Sequence, residues 1–196
     1  MIAHFAKKIS HFFIKKEVIS QDDYEVYSYS LELLISTLIN FVMIISIAII
    51  SRKFPETVFY IVAFIPLRIS AGGYHADTHA RCLLILLFSY IVFLIVISCV
   101  SINLSIIISL VSLGLAILII YIYAPVEDIN NPMNKEQKRK QKIKSRLTIS
   151  FISTIALLLL FFDSYLSLSL SLGCISVALA IVASKVKFHI RVNTTY

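Results

Sequence analysis

The chain contains few charged residues, few glycines and few cysteines, and each scarcity excludes a class of protein. Only 15% of its 196 residues are charged and 59% are hydrophobic, so the composition lies outside the range of soluble domains. The four glycines stand in no dinucleotide-binding or phosphate-binding pattern, and we expect no organic cofactor. The three cysteines lack paired spacing and provide no disulfide framework. The composition therefore indicates an integral membrane protein.

Six apolar segments are candidates for membrane-spanning helices, since a hydrocarbon core needs about 20 residues of helix. Four are long enough or nearly so: residues 33–50, 83–102, 105–124 and 165–184. Residues 147–162 are a little short. Residues 57–67 span only if their helix continues through Pro66 and takes Arg68 into the headgroup region or the protein interior. We therefore predict an all-α, polytopic membrane protein with about six transmembrane helices.

Residues 166–172 alternate leucine and serine with a period of two, a pattern that indicates a strand in a soluble protein. A lone strand in hydrocarbon leaves its backbone polar groups unsatisfied and cannot close a barrel. We therefore predict a helix whose serines face other helices. The small and hydroxylated residues from Ser167 to Ser176, including Gly173, are suited to close packing of one helix on another.

The positions of lysine and arginine predict the orientation in the membrane. Four lie in the first 16 residues, seven between residues 125 and 146, and three after residue 184, and the positive-inside rule places all three groups in the cytoplasm. Six crossings satisfy this arrangement and put the polar segment 68–82 on the cytoplasmic side. Arg52 and Lys53 would then lie outside, against the rule.

These features divide the chain into three parts. Residues 1–29 are an N-terminal cytoplasmic or interfacial segment, residues 30–184 are a single transmembrane domain with a basic cytoplasmic loop at 125–146, and residues 185–196 are a cytoplasmic tail. The first 20 residues scatter lysines among apolar positions, which excludes a cleavable signal peptide and favours an amphipathic interfacial helix on anionic lipid. A leader that only fixes topology is the alternative. The apolar face of the helix would contain Ile2, Phe5, Ile9, Phe12, Phe13 and Ile14.

The polar segment 68–82 contains a histidine and a cysteine, His75 and Cys82, seven positions apart. Cys82 stands at the polar boundary of a predicted helix beside Arg81, surroundings that favour a thiolate. Such a cysteine can act as a nucleophile with a histidine as its base. In one straight helix the two residues would lie about 10 Å apart along the axis, so the pair requires a break between them. The adjacent Gly72 and Gly73 supply backbone freedom for placing His75.

Two other functions, metal binding and transport, are alternatives to this interpretation. A metal site could use His75, Asp77, His79 and Cys82, provided that residues 74–82 form a helix. A transporter or channel could line its path with Arg68 and the serines of the last helix, although no paired repeat with broken helices supports it. Cys99 and Cys174 lie inside apolar runs, where we expect them to be inert.

The segment 68–82 resembles the accessory gene regulator B family, membrane-embedded cysteine peptidases that process the precursor of a bacterial cyclic signalling peptide. Arg68, Gly73, His75 and Cys82 meet the family's pattern of an arginine, a glycine, a histidine two residues later and a cysteine seven after that. The resemblance implies a cysteine endopeptidase of the bacterial cytoplasmic membrane, with Cys82 as nucleophile and His75 as general base and later acid.

The resemblance also implies the substrate and the product. Cys82 would cleave a small precursor peptide on the C-terminal side of its signal sequence and form a thioester. A thiol or hydroxyl of the same peptide would then displace the enzyme and close a thiolactone or lactone. The family implies a homodimer, and we expect neither a metal nor a nucleic-acid partner.

We expect supporting roles for Arg68, Gly73 and the basic residues between 135 and 146. For Arg68 we expect stabilisation of the negative charge that develops on the carbonyl oxygen, or a bidentate pair with a substrate carboxylate. Gly73 is expected to shape the backbone. The basic residues between 135 and 146 would attract an acidic precursor, although such a run is first a topology determinant.

Overall fold

The computed structural model describes residues 2–16, 18–72, 79–126 and 133–194, without the side chains of residues 2, 33, 79–83 and 187–194. The residues described form seven α-helices and no strand. The helices are α1 (Ile2–Lys15), α2 (Tyr24–Ile50), α3 (Phe54–Ala71), α4 (His79–Cys99), α5 (Ile102–Tyr123), α6 (Lys135–Leu159) and α7 (Ser164–Thr194). They belong to two compact units, residues 1–50 with 76–88 and residues 51–75 with 89–196.

The prediction of an all-α polytopic membrane protein is confirmed. Within the described ranges, four helices are long and apolar enough to cross a membrane: α2, α3, α5 and the part of α7 from Ser164 to Val186. Helix α4 has a shorter apolar part, Leu84–Cys99, and α6 carries its apolar residues in its second half. Each of the six predicted spans thus corresponds to a helix, and the number of six crossings stays a prediction.

The first unit contains α1 packed on α2. Ala6 and Ser10 of α1 are fully buried, and the His11 ring lies 4.7 Å from the Tyr24 ring between centroids. Phe5 and Phe12 are 57% and 55% exposed. The predicted helix is therefore present, and two of its predicted apolar residues lie on an outer surface. Its location at the membrane interface stays a prediction.

The second unit is built around α7, which packs against α3, α5 and α6. The five residues from Ser167 to Ser171 are at most 2% exposed, because helices surround this part of α7 on all sides. The segment with a period of two is thus helical, as predicted. A helix that is buried on all sides has no solvent-facing side, so its sequence does not need the 3.6-residue period of an amphipathic helix. The alternation of leucine and serine is therefore compatible with a helix.

Serine hydroxyl groups join α5 to α7. Ser109 Oγ lies 2.9 Å from Ser167 Oγ and 2.8 Å from Ser171 Oγ, and Ser105 Oγ donates to Ser164 Oγ at 2.9 Å. The prediction that the serines of the last span face other helices is confirmed. Hydroxyl groups within an apolar bundle find partners on the neighbouring helix because lipid offers none.

A glycine brings α3 and α7 into backbone contact. A Cβ atom added to Gly173 would lie 2.7 Å from the carbonyl oxygen of Tyr60 and 2.9 Å from the Cβ of Ala63. Tyr60 also donates a hydrogen bond from its hydroxyl to Ser176 Oγ at 3.2 Å. Helix α3 continues through Pro66, which is the condition that the sequence set for this short segment to span. The close packing predicted for Gly173 and Ser176 therefore occurs within the chain.

Helix α6 includes the second part of the predicted loop at 125–146. Residues 135–146 are helical, and the helix begins with a capping box in which Asn134 Oδ1 accepts from the Gln137 backbone N–H at 2.7 Å and Gln137 Oε1 accepts from that of Asn134 at 3.1 Å. Lysine, arginine, glutamate and glutamine are good helix formers, so the helix extends beyond its apolar part. The backbone of the predicted tail likewise continues α7 to Thr194.

One of the two charges that oppose the positive-inside rule is neutralised locally. Lys53 Nζ lies 3.0 Å from Glu56 Oε1 and 5.8 Å from the centroid of the Tyr165 ring. The positive-inside rule counts lysine and arginine and not net charge, so this pairing leaves Lys53 an exception to the rule, and the orientation stays a prediction.

Candidate active site

The candidate site begins where α3 ends. Helix α3 stops at Ala71, and Gly72 follows with φ +73° and ψ −149°. This conformation is almost exclusive to glycine because a Cβ atom would clash with the backbone. The Gly72 N–H still donates to the carbonyl oxygen of Arg68 at 3.2 Å, so the chain leaves the helix directly after this bond.

The segment that follows α5 holds the end of α3. Gly72 pairs with Val126 in an isolated parallel bridge, and the Val126 N–H donates to the carbonyl oxygen of Ala71 at 3.1 Å. A Cβ atom on Gly72 would lie 2.5 Å from the Val126 carbonyl oxygen. The absence of a side chain therefore permits the contact, and residue 126 fixes the point from which the segment 73–82 departs.

Arg68 contributes a third contact at this point. Arg68 is half-buried, and its Nη1 donates to the carbonyl oxygen of Gly72 at 2.6 Å. A charged donor makes a stronger hydrogen bond than a neutral one, so this contact stabilises the turn that ends α3. The structure thus gives Arg68 a positioning contact within the chain. The role toward substrate predicted for it stays a prediction.

The predicted nucleophile lies at the start of the next helix. Helix α4 begins at His79, and Cys82 is its fourth residue. His75, Gly73 and Asp77 lie outside the described residues. The predicted pair of His75 and Cys82, and the alternative metal site, both stay predictions.

The other two cysteines differ in their surroundings. Cys174 is fully buried in α7, as expected for a thiol that serves as a small apolar residue. Cys99 is exposed at the last position of α4. It lies 17 positions after Cys82 in the sequence, which makes it a useful control for any test of thiol chemistry.

Two residues of the site were not singled out by the sequence interpretation. The pair Gly72 and Gly73 was noted for its backbone freedom, but only Gly73 was assigned a role, whereas Gly72 has the conformation that requires glycine. Val126 was not considered at all. The double glycine was a usable signal for Gly72, and a contact between residues 54 positions apart leaves no local pattern that could have indicated Val126.

The described residues define a polytopic helical membrane protein with a polar segment between its third and fourth helices. Residues 6–183 match the family model of accessory gene regulator B. The chain therefore belongs to the accessory gene regulator B family, a family of quorum sensing that is linked to peptide processing. No curated protein and no solved structure matches the chain.

Proposed function

We propose that the protein is a membrane-embedded cysteine endopeptidase that cleaves a small quorum-sensing precursor peptide on its C-terminal side and promotes its cyclisation. The observation that carries this proposal is the family match over residues 6–183. Within that match, Arg68, Gly73, His75 and Cys82 stand at the family's offsets. A fold of apolar helices with a polar segment between two of them is compatible with an active site at the membrane boundary.

The proposed reaction has two acyl transfers. The thiolate of Cys82 attacks a peptide carbonyl carbon, the C–N bond breaks, and protonated His75 gives its proton to the leaving amine. The C-terminal part of the precursor departs and an acyl thioester remains on Cys82. A thiol or hydroxyl of the same peptide then attacks the thioester and gives its proton to His75. The Cys82 thiolate leaves, and a thiolactone or lactone is closed without any nucleotide.

One feature of the described residues supports this proposal. Gly72 is held by Arg68 and Val126, so the chain reaches His75, three residues later, from a defined starting point. Precise placement of a base relative to a nucleophile is a large part of enzymatic rate enhancement.

The remaining elements of the proposal concern surroundings and partners. Arg68 and Gly73 support the site, the first by binding a substrate carboxylate or the developing oxyanion and the second by shaping the backbone. The site faces the cytoplasm, the protein acts as a homodimer, and the substrate is a small precursor peptide. A thioester survives long enough for ring closure if water is kept from it, which a site at the membrane boundary favours.

Mass spectrometry of a candidate precursor peptide, incubated with the purified protein in lipid, tests the proposal. We expect the wild-type protein to shorten the peptide and to carry a covalent peptide adduct on Cys82. Cys82→Ala should abolish both the cleavage and the adduct, whereas Cys99→Ala should retain both. Addition of a chelator should leave cleavage unchanged.

Other results would exclude the proposal in distinct ways. Cleavage that persists in Cys82→Ala would remove the thiol mechanism, and cleavage lost on chelation would favour the metal-dependent alternative. No processing of several precursors by a well-folded protein would return the transporter to consideration.

A further inference from the structure

An open apolar groove lies between α3 and α6 in the second unit. Its volume is about 550 Å³, within the range of roughly 300–1,000 Å³ that small-molecule sites occupy. Its walls include Phe59, Val62 and Pro66 of α3 and Leu147, Phe151 and Ile155 of α6. Among the described residues that line it, Thr148 alone is polar, so the groove suits a hydrocarbon ligand.

The groove opens toward the outside of the unit. Val62, Leu147 and Phe151 are 55%, 66% and 68% exposed, so each wall has an accessible part. Helix α3 is long and apolar enough to cross a membrane, and exposed apolar residues on such a helix face lipid hydrocarbon. We therefore expect acyl chains around the groove.

A lysine extends the groove at the basic end of α6. Lys144 precedes Leu147 by three positions and Phe151 by seven, a spacing that puts it on the same face of the helix. Its side chain is exposed. A lysine one turn beyond an apolar surface extends its aliphatic stem along that surface and places its ammonium group at the level of the lipid headgroups.

Two other cations of α6 are engaged elsewhere. Arg146 Nη2 donates to the carbonyl oxygen of Tyr121 on α5 at 3.0 Å, and its guanidinium lies 5.1 Å from the centroid of the Tyr121 ring. Lys140, one turn further from the groove, lies 2.7 Å from Glu136 Oε1. Among these three cations, Lys144 is therefore the one that is aligned with the groove.

We propose that the groove between α3 and α6 is a binding site for one anionic phospholipid. One acyl chain lies between the walls, and the phosphate contacts the ammonium group of Lys144. An apolar groove with a cation at one end complements a molecule that has a hydrocarbon chain and an anionic head. Binding of this kind would make the packing of α3 on α6, and the position of the end of α3, depend on the anionic lipid content of the bilayer. The proposal does not depend on the peptidase function.

The absence of tryptophan from the chain permits a clean test by fluorescence. Phe151→Trp reports on the groove. Leu118→Trp on α5, where residue 118 is 56% exposed, is the matched control. The two positions lie at similar depth because Tyr121 Oη and Ser150 Oγ are 3.0 Å apart. Each variant is reconstituted in phosphatidylcholine that contains a small fraction of brominated phosphatidylglycerol or brominated phosphatidylcholine.

We expect brominated phosphatidylglycerol to quench the groove reporter several-fold more than brominated phosphatidylcholine does, and the control reporter to respond equally to both. Adding Lys144→Gln to the Phe151→Trp protein should remove the excess quenching. Equal quenching of the groove reporter by both lipids, or an excess that survives Lys144→Gln, would overturn the proposal. A groove reporter that neither lipid quenches would also overturn it, since a second copy or another part of the protein would then cover the groove. Phe59→Trp on the opposite wall replaces the reporter if Phe151→Trp does not fold.

Discussion

Two polar stretches interrupt the apolar helices, and they use their polar groups differently. In α7, the hydroxyl groups of Ser167 and Ser171 are fully buried and lie within hydrogen-bond distance of Ser109 on α5. At the end of α3, half-buried Arg68 donates to the backbone of Gly72, at the start of the segment that contains His75 and Cys82. The first stretch joins helices, whereas the second positions a connection between them.

This difference indicates which polar residues of a membrane protein mark a functional site. Serine hydroxyls in an apolar bundle are neutral, and partners on neighbouring helices satisfy them. Arginine, histidine and cysteine can carry or exchange charge, which is costly in hydrocarbon and is retained mainly for function. Polarity alone does not separate the two stretches, since α7 also contains several polar residues within its span. Ionisable character favours the segment 68–82.

The largest effect that separates the two stretches is expected from His75→Ala. Loss of a general acid–base typically lowers a reaction rate by about 10²–10⁴-fold. We expect a decrease of that size in the initial rate of precursor cleavage, measured by mass spectrometry, with no change in the midpoint of thermal unfolding. His79→Ala, in the same polar segment, is the matched control and should remain close to wild type. An equal loss in both variants would favour a metal site that uses both imidazoles.

Gly72→Ala should produce the next largest effect, again on catalysis more than on stability. An alanine at φ +73° costs about 1–3 kcal/mol, and its Cβ would lie 2.5 Å from the Val126 carbonyl oxygen. If the strain is relieved by displacing the segment that leads to His75, the cleavage rate falls roughly 5- to 150-fold by the relation between barrier and rate. Gly114→Ala is the control, since nothing lies within 4 Å of a Cβ there. A Gly72→Ala protein with normal cleavage would show that the contact with Val126 does not position the site.

Much of the fold could be predicted because the bilayer restricts the possibilities. Hydropathy alone indicated six apolar segments, and each corresponds to a helix. The helical state of residues 166–172 followed from the backbone requirement for hydrogen bonds, against the local period of two. The continuation of α3 through Pro66 was stated as a condition for spanning and is met.

The parts that could not be predicted lie where hydropathy carries no information. Residues 135–146 form a helix through capping and helix propensity, which a search for apolar runs does not detect. The contact between Gly72 and Val126 joins residues far apart in the sequence, so neither shows it alone. The motif in residues 68–82 was recognised by resemblance, and its matched residues His75 and Gly73 lie outside those that the structure describes.

Gly173→Ala should affect stability and leave the chemistry intact, which is the reverse of Gly72→Ala. The added Cβ would meet the Tyr60 carbonyl oxygen at 2.7 Å and the Ala63 Cβ at 2.9 Å, and backbone atoms cannot move aside cheaply. Overpacking of this kind costs about 1–3 kcal/mol. We expect a lower midpoint of thermal unfolding in detergent, and a cleavage rate per folded molecule that is unchanged. A midpoint of thermal unfolding equal to that of Gly114→Ala would mean that α3 and α7 can move apart at residue 173 without a loss of stability.

Ser109→Ala should produce the smallest effect. The substitution removes the hydroxyl that Ser167 and Ser171 share, and hydrogen bonds between transmembrane helices contribute on average about 0.6 kcal/mol and at most about 1.7 kcal/mol. The loss is limited because Ser171 also donates to the carbonyl oxygen of Ser167 at 2.9 Å, and Ser167 to that of Ala156 at 2.7 Å. Both hydroxyls therefore keep a partner when Ser109 is replaced.

The matched control for Ser109→Ala is Ser46→Ala. Ser46 is exposed, and its hydroxyl donates to the carbonyl oxygen of Val42 in its own helix at 2.8 Å. A measurable decrease in the unfolding midpoint for Ser109→Ala, with none for Ser46→Ala and no change in cleavage, would assign the α7 serines to helix association. A loss of cleavage in Ser109→Ala at normal stability would instead link the serines to function. The distinction between the two polar stretches would then fail, because neutral hydroxyls would share the role assigned to the ionisable groups.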